Sequence, residues 1–136
     1  MARPECDLLN FEAVSDQLAL ARPDVIYHLA ADANVRLSFD NPLANFSNNT
    51  AGTITLFEAC RHLGMRPVVV VCSTSEVYGN ASHQPIGEGW PLAPVNPYAV
   101  SKASQELIAR MYAECYGFPI VITRAFGYIN PRRRGL

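Results

Sequence analysis

The chain has 136 residues, with 11 lysines and arginines against 12 aspartates and glutamates. This length suits one domain, and the balanced charge offers no basic surface for a nucleic acid partner. No apolar run is long enough to span a membrane, so we expect a cytoplasmic protein with reduced cysteines. The four cysteines and three histidines are too scattered for zinc-ligand spacing, and no metal site is predicted.

The first part of the chain predicts a helix, a strand and a loop. Asn10 is a good helix N-cap, apolar residues follow it at helical spacing, and Arg22-Pro23 ends the helix. Residues 24–29 are a short apolar run that predicts a buried strand ending in the small pair Ala30-Ala31. Residues 32–40 are polar and are predicted to form a loop.

A long helix and a second strand are predicted next. Asn41-Pro42 combines a cap with a proline at the first helical position, and Gly64 provides the C-terminal stop. Residues 67–72 are nearly all β-branched, which is typical of a parallel strand covered on both faces. The polar stretch 73–79 and a proline-rich loop follow, and a loop of this length favours a binding role or disorder.

The last predicted helix begins at Asn96-Pro97 and ends at Gly117, and residues 118–123 form a third strand. The regular alternation of helix and strand predicts an α/β fold with a parallel sheet and helices on both faces. Such sheets bind ligands beyond the carboxyl ends of their strands. We therefore expect the polar residues that follow each strand to meet at one edge, beside the start of the last helix.

Tyr98 and Lys102 stand four residues apart, and so on one face of this helix. A lysine ammonium near a phenol favours the phenolate, which is a base. Lowering the pKa of a tyrosine from about 10 to neutrality requires a shift of about three units, or roughly 4 kcal/mol of stabilisation of the phenolate. A bound cationic cofactor ring would supply part of this stabilisation. Spacing alone favours an exposed tyrosine and a solvated lysine.

Thr74 and Glu76 add a hydroxyl and a carboxylate at the end of the second strand. A phenolate beside a hydrogen-bonding hydroxyl can take the proton of an alcohol while hydride leaves the same carbon. No side chain accepts hydride, so this interpretation implies a nicotinamide cofactor, NAD or NADP. The alternatives are a strand-end cap for Thr74 and a solvated surface acid for Glu76.

Four segments in order and in spacing resemble the extended short-chain dehydrogenase/reductase family, the NAD-dependent epimerases and dehydratases of nucleotide sugars. The segments are His28-Leu29-Ala30-Ala31, Asn49-Thr50-Ala51-Gly52-Thr53, Ser73-Thr74-Ser75-Glu76-Val77-Tyr78-Gly79 and Pro97-Tyr98-Ala99-Val100-Ser101-Lys102. The resemblance covers the chain from about Cys6 onward. It implies a partial Rossmann-like, doubly wound parallel sheet and a nucleotide-diphosphate sugar as substrate.

The resemblance also implies a role for each matching residue. Tyr98 would be the general base, Lys102 would hold it and the nicotinamide ribose, and Thr74 would bind the sugar 4-hydroxyl with Ser75 beside it. The residues implied at the cofactor are Asp7 and Leu8 at the adenine edge, Ala30 and Ala31 along its backbone, and Ser73 beside the nicotinamide.

Glu76 makes the chain similar to the dehydratase members, especially the GDP-mannose 4,6-dehydratases. There the carboxylate would remove the C5 proton after C4 oxidation, so that water is lost across C5 and C6. Arg132 and Arg133 resemble a proline-arginine-arginine-glycine stretch of those enzymes and could reach the diphosphate. A 4-epimerase and a UDP-glucuronate decarboxylase remain alternatives, because decarboxylases also carry threonine-serine-glutamate.

The 136 residues contain no glycine-rich loop of the kind that places pyrophosphate on a helix N-terminus. We therefore expect residues 1–136 to be one partial NAD(P)-binding domain, without the N-terminal glycine-rich βαβ unit and the C-terminal substrate domain. By itself the chain is expected to be inactive. The resemblance implies a homodimer through the two long helices, and a non-catalytic segment acting only through these helices is the remaining alternative.

Overall fold

The structure, a computed structural model, describes residues 6–82 and 85–127. Its helices are α1 (Phe11–Ala21), α2 (Val35–Asp40), α3 (Pro42–His62) and α4 (Pro97–Tyr116), and its strands are β1 (Val25–His28), β2 (Val68–Cys72) and β3 (Ile120–Thr123). A short 3-10 helix, Ser75–Tyr78, follows β2. Of the described helices, none combines the length and hydropathy needed to cross a bilayer.

The long helices begin and end where the local sequence predicts. Asn10, Asn41 and Asn96 are the N-caps of α1, α3 and α4, and each side chain accepts the backbone N–H three residues ahead. Gly117 ends α4 in the left-handed region at φ 69°, where a residue without a Cβ is favoured. These boundaries confirm the predicted ends of the helices. The ends could be predicted because each cap residue acts on its immediate neighbours in the chain.

The prediction of a loop over residues 32–40 is wrong in one respect, because this stretch contains helix α2. The Asn34 side chain caps this helix by accepting the N–H of Leu37, as the other asparagine caps do. The helix has only six residues, too few to display an apolar periodicity in the sequence. Its Ser38 is buried and accepts a hydrogen bond from the backbone of Tyr98 at the candidate site.

The strands form one parallel sheet in the order β1-β2-β3. Ile26, Val69 and Ile120 are opposite one another in the register, and these residues face the helices together with Val71 and Ile122. Phe57 of α3 is fully buried and stacks on Tyr112 of α4, with ring centroids 4.6 Å apart. The hydrophobic core therefore lies between one face of the sheet and the helices.

The parallel α/β sheet agrees with the fold expected from the sequence, but the expectation of helices on both faces is not met within the described residues. On the second face the side chains of Val25, Tyr27 and Val121 are 44%, 68% and 48% exposed. An apolar strand pattern predicts that both faces can be covered. It does not identify the segment that covers them.

Candidate functional site

The segments that follow β2 and β3 are bound to each other at the carboxyl edge of the sheet. The N–H of Ser73 donates to the Thr123 carbonyl at 2.7 Å, and the N–H of Ser75 donates to the Ala125 carbonyl at 3.1 Å. Because both strands end here, the polar residues that follow them are held at a common edge, as the sequence predicts.

Glu76 is brought to the start of α4. Thr74 caps the 3-10 helix by accepting the Glu76 N–H at 3.3 Å, which leaves its hydroxyl proton free to donate. The Glu76 carboxylate in turn accepts the Asn96 side-chain N–H at 2.9 Å. Since Asn96 is the N-cap of the helix that carries Tyr98 and Lys102, the carboxylate is held at the N-terminal end of that helix.

Tyr98 lies in the first turn of α4, where backbone N–H groups have no partner within the helix. Its N–H donates to the hydroxyl of Ser38 in α2 at 3.2 Å. Ser38 is 1% exposed and donates its own proton to the Val35 carbonyl at 2.7 Å. The short helix α2 therefore holds the backbone of the expected general base.

Lys102 is 4% exposed, and burial lowers the pKa of its ammonium to about 8, although Cys72 and Glu106 favour the charged form. The ammonium therefore remains mostly protonated at neutral pH and loses its charge above a pH of about 8. Burial, with a smaller contribution from Lys102, lowers the pKa of His28 to about 4. His28 is therefore neutral at neutral pH, and its Nε2 lies 2.9 Å from the Thr53 hydroxyl.

Asn49 connects the end of β1 to the helix of Tyr98. Its amide oxygen accepts the Asp32 N–H at 2.7 Å, and its amide nitrogen donates to the Ser101 hydroxyl at 2.8 Å. Ser101 donates to the Tyr98 carbonyl at 2.8 Å. The segment after β1, helix α3 and helix α4 are thereby joined through one buried side chain.

Replacing Asn49 with alanine should lower the free energy of unfolding by about 2 kcal/mol, because the Asp32 N–H loses its acceptor and the buried Ser101 hydroxyl loses its donor. Asn48→Ala is the matched control, since Asn48 is exposed and, among the described residues, donates to the Asp32 carboxylate alone, at 2.9 Å. For the control we expect a change within about 0.5 kcal/mol. Urea unfolding measures both, and equal effects would contradict the role given to Asn49.

An open cavity of about 480 Å³ lies beyond the end of β1, and Asp7, Leu8, Ala30 and Ala31 are among its lining residues. The structure thus brings together four of the residues expected at the cofactor. The methyl side chains of the two alanines leave this cavity open. Ser73 is not among the lining residues, but its hydroxyl is buried without a hydrogen-bond partner in the part of the chain described. The cavity lining fits a dinucleotide, whereas the structure does not bring the Ser73 hydroxyl into this cavity.

Two further residues expected at the substrate, Arg132 and Arg133, lie outside the described residues. Conversely, sequence reasoning missed Asn96 as a partner of Glu76, Ser38 as a support for Tyr98, and a buried Arg124–Glu106 ion pair at 2.7 Å. Glu106 had one available signal, because it stands one turn beyond Lys102 on the same helical face.

Residues 3–135 match the profile of the family described as GDP-mannose 4,6 dehydratase. The chain is 39% identical over 129 residues to GDP-mannose 4,6-dehydratase sdnI from Sordaria araneosa, covering 93% of this chain. Its fold is similar to RMD from Pseudomonas aeruginosa complexed with NADPH (TM-score 0.91, 29% identity, 98% coverage). It is also similar to UDP-glucose 4-epimerase from Thermus thermophilus complexed with NAD (TM-score 0.80, 36% identity, 87% coverage).

These similarities extend over nearly the whole chain but over less than half of each relative. The chain spans 24% of the Sordaria protein, 46% of RMD and 38% of the Thermus epimerase. Members of the family are NAD-dependent dehydratases and epimerases of sugar nucleotides. The chain belongs to the GDP-mannose 4,6 dehydratase family, within the NAD-dependent epimerases and dehydratases.

Proposed function

We propose that these residues form the central part of a nucleotide-sugar 4,6-dehydratase acting on a GDP-mannose-like substrate. The observation that carries the proposal is the Glu76–Asn96 hydrogen bond at 2.9 Å, which adds a carboxylate to the phenol and ammonium of α4. Dehydration across C5 and C6 needs two proton-transferring groups, one for the C4 hydroxyl and one for the C5 proton. Epimerisation at C4 needs only the first.

Each side chain has a distinct task in this mechanism. Thr74 donates its hydroxyl proton to the sugar 4-oxygen and orients it, and Tyr98 removes the 4-hydroxyl proton as C4 is oxidised. Lys102, cationic at neutral pH, stabilises the Tyr98 phenolate. Glu76 then removes the C5 proton, which the 4-keto group has made acidic, and can return it to the departing C6 hydroxyl. Ser75 and the arginines Arg132 and Arg133 would bind the substrate.

Asp7, Leu8, Ala30 and Ala31, with Ser73 and Lys102, would hold NAD or NADP, which would supply the hydride acceptor and donor for C4 and C6. The support is the open cavity beyond β1, which Asp7, Leu8, Ala30 and Ala31 line. The solved relatives named above contain NADPH and NAD respectively, and both cofactors are therefore candidates.

A 4-epimerase is the second candidate, because a UDP-glucose 4-epimerase is as similar in sequence as the dehydratases are. A UDP-glucuronate decarboxylase would use the same Thr74, Tyr98 and Lys102 chemistry without a C5 base. The difference between these candidates and the dehydratase is therefore the use made of Glu76.

In the direct test, the longer protein that carries these residues is incubated with NADP or NAD and with each candidate sugar nucleotide. A dehydratase converts GDP-mannose into a product lighter by one water molecule, which mass spectrometry detects. An epimerase converts UDP-glucose into an isomer of unchanged mass, and a decarboxylase releases carbon dioxide from UDP-glucuronate. Turnover of UDP-glucose alone, without loss of water, would refute the dehydratase.

We further propose that the longer protein supplies a glycine-rich βαβ unit before this segment and a substrate domain after it. We also propose that this protein forms a homodimer through α3 and α4. It would act in the cytoplasm, where the four free cysteines remain reduced. The support for the homodimer is the apolar outer face of the two helices. The exposed members of this face are Leu43, Phe46 and Ile54 on α3 and Val100, Leu107 and Met111 on α4.

Replacing Leu107 with glutamate should convert such a dimer into a monomer, because it places a charge in the centre of an apolar contact. Leu107 is 59% exposed, so the substitution leaves the core of the subunit intact. The control is Leu20→Glu, at an 83% exposed position on α1. Sedimentation at several concentrations gives the masses. The helix-mediated dimer is disproved if the Leu107 variant sediments as the unsubstituted protein does.

A further inference from the structure

A fully buried carboxylate lies on the same helical face as Tyr98 and Lys102. Glu106 is 0% exposed and stands one turn beyond Lys102 on α4. Two nitrogens of Arg124 donate to its two oxygens, at 2.9 Å and 2.7 Å. The proposed reaction uses neither residue, so the burial of this charged pair needs another explanation.

The remaining contacts of Arg124 reach two other parts of the site. Its Nη1 donates to the Tyr78 hydroxyl at 2.9 Å and to the Glu88 carbonyl at 2.8 Å. The guanidinium also lies over the Tyr78 ring, 5.0 Å from its centroid. One side chain therefore contacts α4, the 3-10 helix that carries Glu76, and the long loop before α4.

The backbone next to Arg124 strengthens the same connection. The Ala125 carbonyl accepts the N–H of Ser75, the residue between Thr74 and Glu76. The loop returns to the 3-10 helix through the N–H of Ala93, which donates to the Val77 carbonyl at 2.9 Å. The segment of Thr74 and Glu76 is thus bound by the residue that follows Arg124 and by the loop that Arg124 contacts at Glu88.

The chemistry of the pair favours a single arrangement. A buried carboxylate without a partner is strongly destabilising, so Glu106 keeps its guanidinium. The planar arginine fork fixes the directions of its N–H groups, and a lysine would reach the same carboxylate without that geometry. The pair therefore behaves as a rigid connector between α4 and the Thr74–Glu76 segment.

We propose that Arg124, bound to Glu106, is a positioning residue that holds Thr74 and Glu76 in place against Tyr98 and Lys102. The inference rests on the proposed function for its catalytic consequence, but its structural part can be tested separately. Arg110 provides a matched control, because it approaches the same Glu106 carboxylate at 3.8 Å from a 57% exposed position. Arg110 makes no hydrogen bond to Tyr78 or Glu88 within the described residues.

The first measurement is hydrogen exchange on the 136-residue chain. Arg124→Gln should speed exchange at residues 74–79 and 86–93 by at least about tenfold, while β1, β2 and α3 keep their protection. Arg110→Gln should leave all these segments unchanged. Equal effects of the two substitutions, or uniform acceleration that includes β1 and β2, would overturn the proposal. If the glutamine variant does not fold, Arg124→Lys serves instead, since it keeps a cation at Glu106.

The second measurement is kinetic and uses the longer protein. Arg124→Lys should lower kcat for sugar oxidation by about 10²-fold, as expected for a misplaced catalytic group, with the KM for the cofactor unchanged. Arg110→Lys should retain the full rate. A rise in cofactor KM with unchanged kcat would refute the positioning role. If the unsubstituted protein oxidises no sugar, the proposed function fails while the exchange experiment still decides the role of Arg124.

Discussion

Replacing Tyr98 with phenylalanine should lower the rate of sugar oxidation by about 10³-fold or more, the upper range for loss of a general base. Phenylalanine keeps the ring and the backbone N–H that donates to Ser38, so helix α4 should retain its first turn. Cofactor affinity should change little, because Lys102 and the cavity beyond β1 are untouched. The rate is measured in the longer protein from absorbance of the reduced cofactor, and affinity from a fluorescence titration.

Tyr116→Phe is the control for this substitution. Tyr116 is the last residue of α4, 37% exposed, and its ring lies under Arg61 with 4.8 Å between the guanidinium carbon and the ring centroid. Removing its hydroxyl is the same chemical change on the same helix, far from the site, and should leave the rate unaltered. A Tyr98→Phe enzyme that retains more than about a tenth of the rate would exclude Tyr98 as the base.

Replacing Glu76 with glutamine should separate the two halves of the reaction. The glutamine oxygen can still accept the hydrogen bond from Asn96, so the geometry is preserved while the base is lost. Oxidation at C4 should continue, whereas exchange of the C5 proton with solvent and formation of the 4-keto-6-deoxy product should fall by about 10²- to 10⁴-fold. Proton NMR in heavy water follows the exchange, and mass spectrometry follows the product.

Glu88→Gln is the matching control, because Glu88 has an exposed position and contributes its backbone carbonyl to Arg124. It should dehydrate the sugar at the unsubstituted rate. If the Glu76→Gln enzyme forms the dehydrated product at the unsubstituted rate, Glu76 is not the C5 base. The mechanism then has no step that depends on this carboxylate. A different group would then remove the C5 proton.

The sequence predicted the elements most accurately where the determining signals are local. Helix α4 runs from Pro97 to Tyr116 because Asn96 and Gly117 act on their immediate neighbours. Helix α2 escaped prediction because six residues cannot establish a periodicity, although its N-cap Asn34 was visible. Residue types and spacing in the four motifs were enough to identify the candidate base, its lysine and the nearby carboxylate.

The partners of these residues could not be predicted in the same way, since they come from distant parts of the chain. Asn49 and Ser101 are 52 residues apart, and Ser38 and Tyr98 are 60 apart. Polar pairing at such separations depends on how α2, α3 and α4 pack, which periodicity does not specify. For the same reason, the apolar pattern of β1 and β3 did not reveal that one face of the sheet is open within the described residues.

The chain of hydrogen bonds from Asp32 through Asn49 and Ser101 to Tyr98 connects the cavity beyond β1 to the helix of the proposed base, and we expect it to couple cofactor affinity to sugar affinity. Asp32 lines the cavity beyond β1, and the Tyr98 carbonyl lies at the other end of the chain. We expect a ligand that orders Asp32 to restrict Tyr98 as well, so that the second ligand binds to a site that is already ordered. Thermodynamic reciprocity requires the sugar to raise cofactor affinity by the same factor by which the cofactor raises sugar affinity.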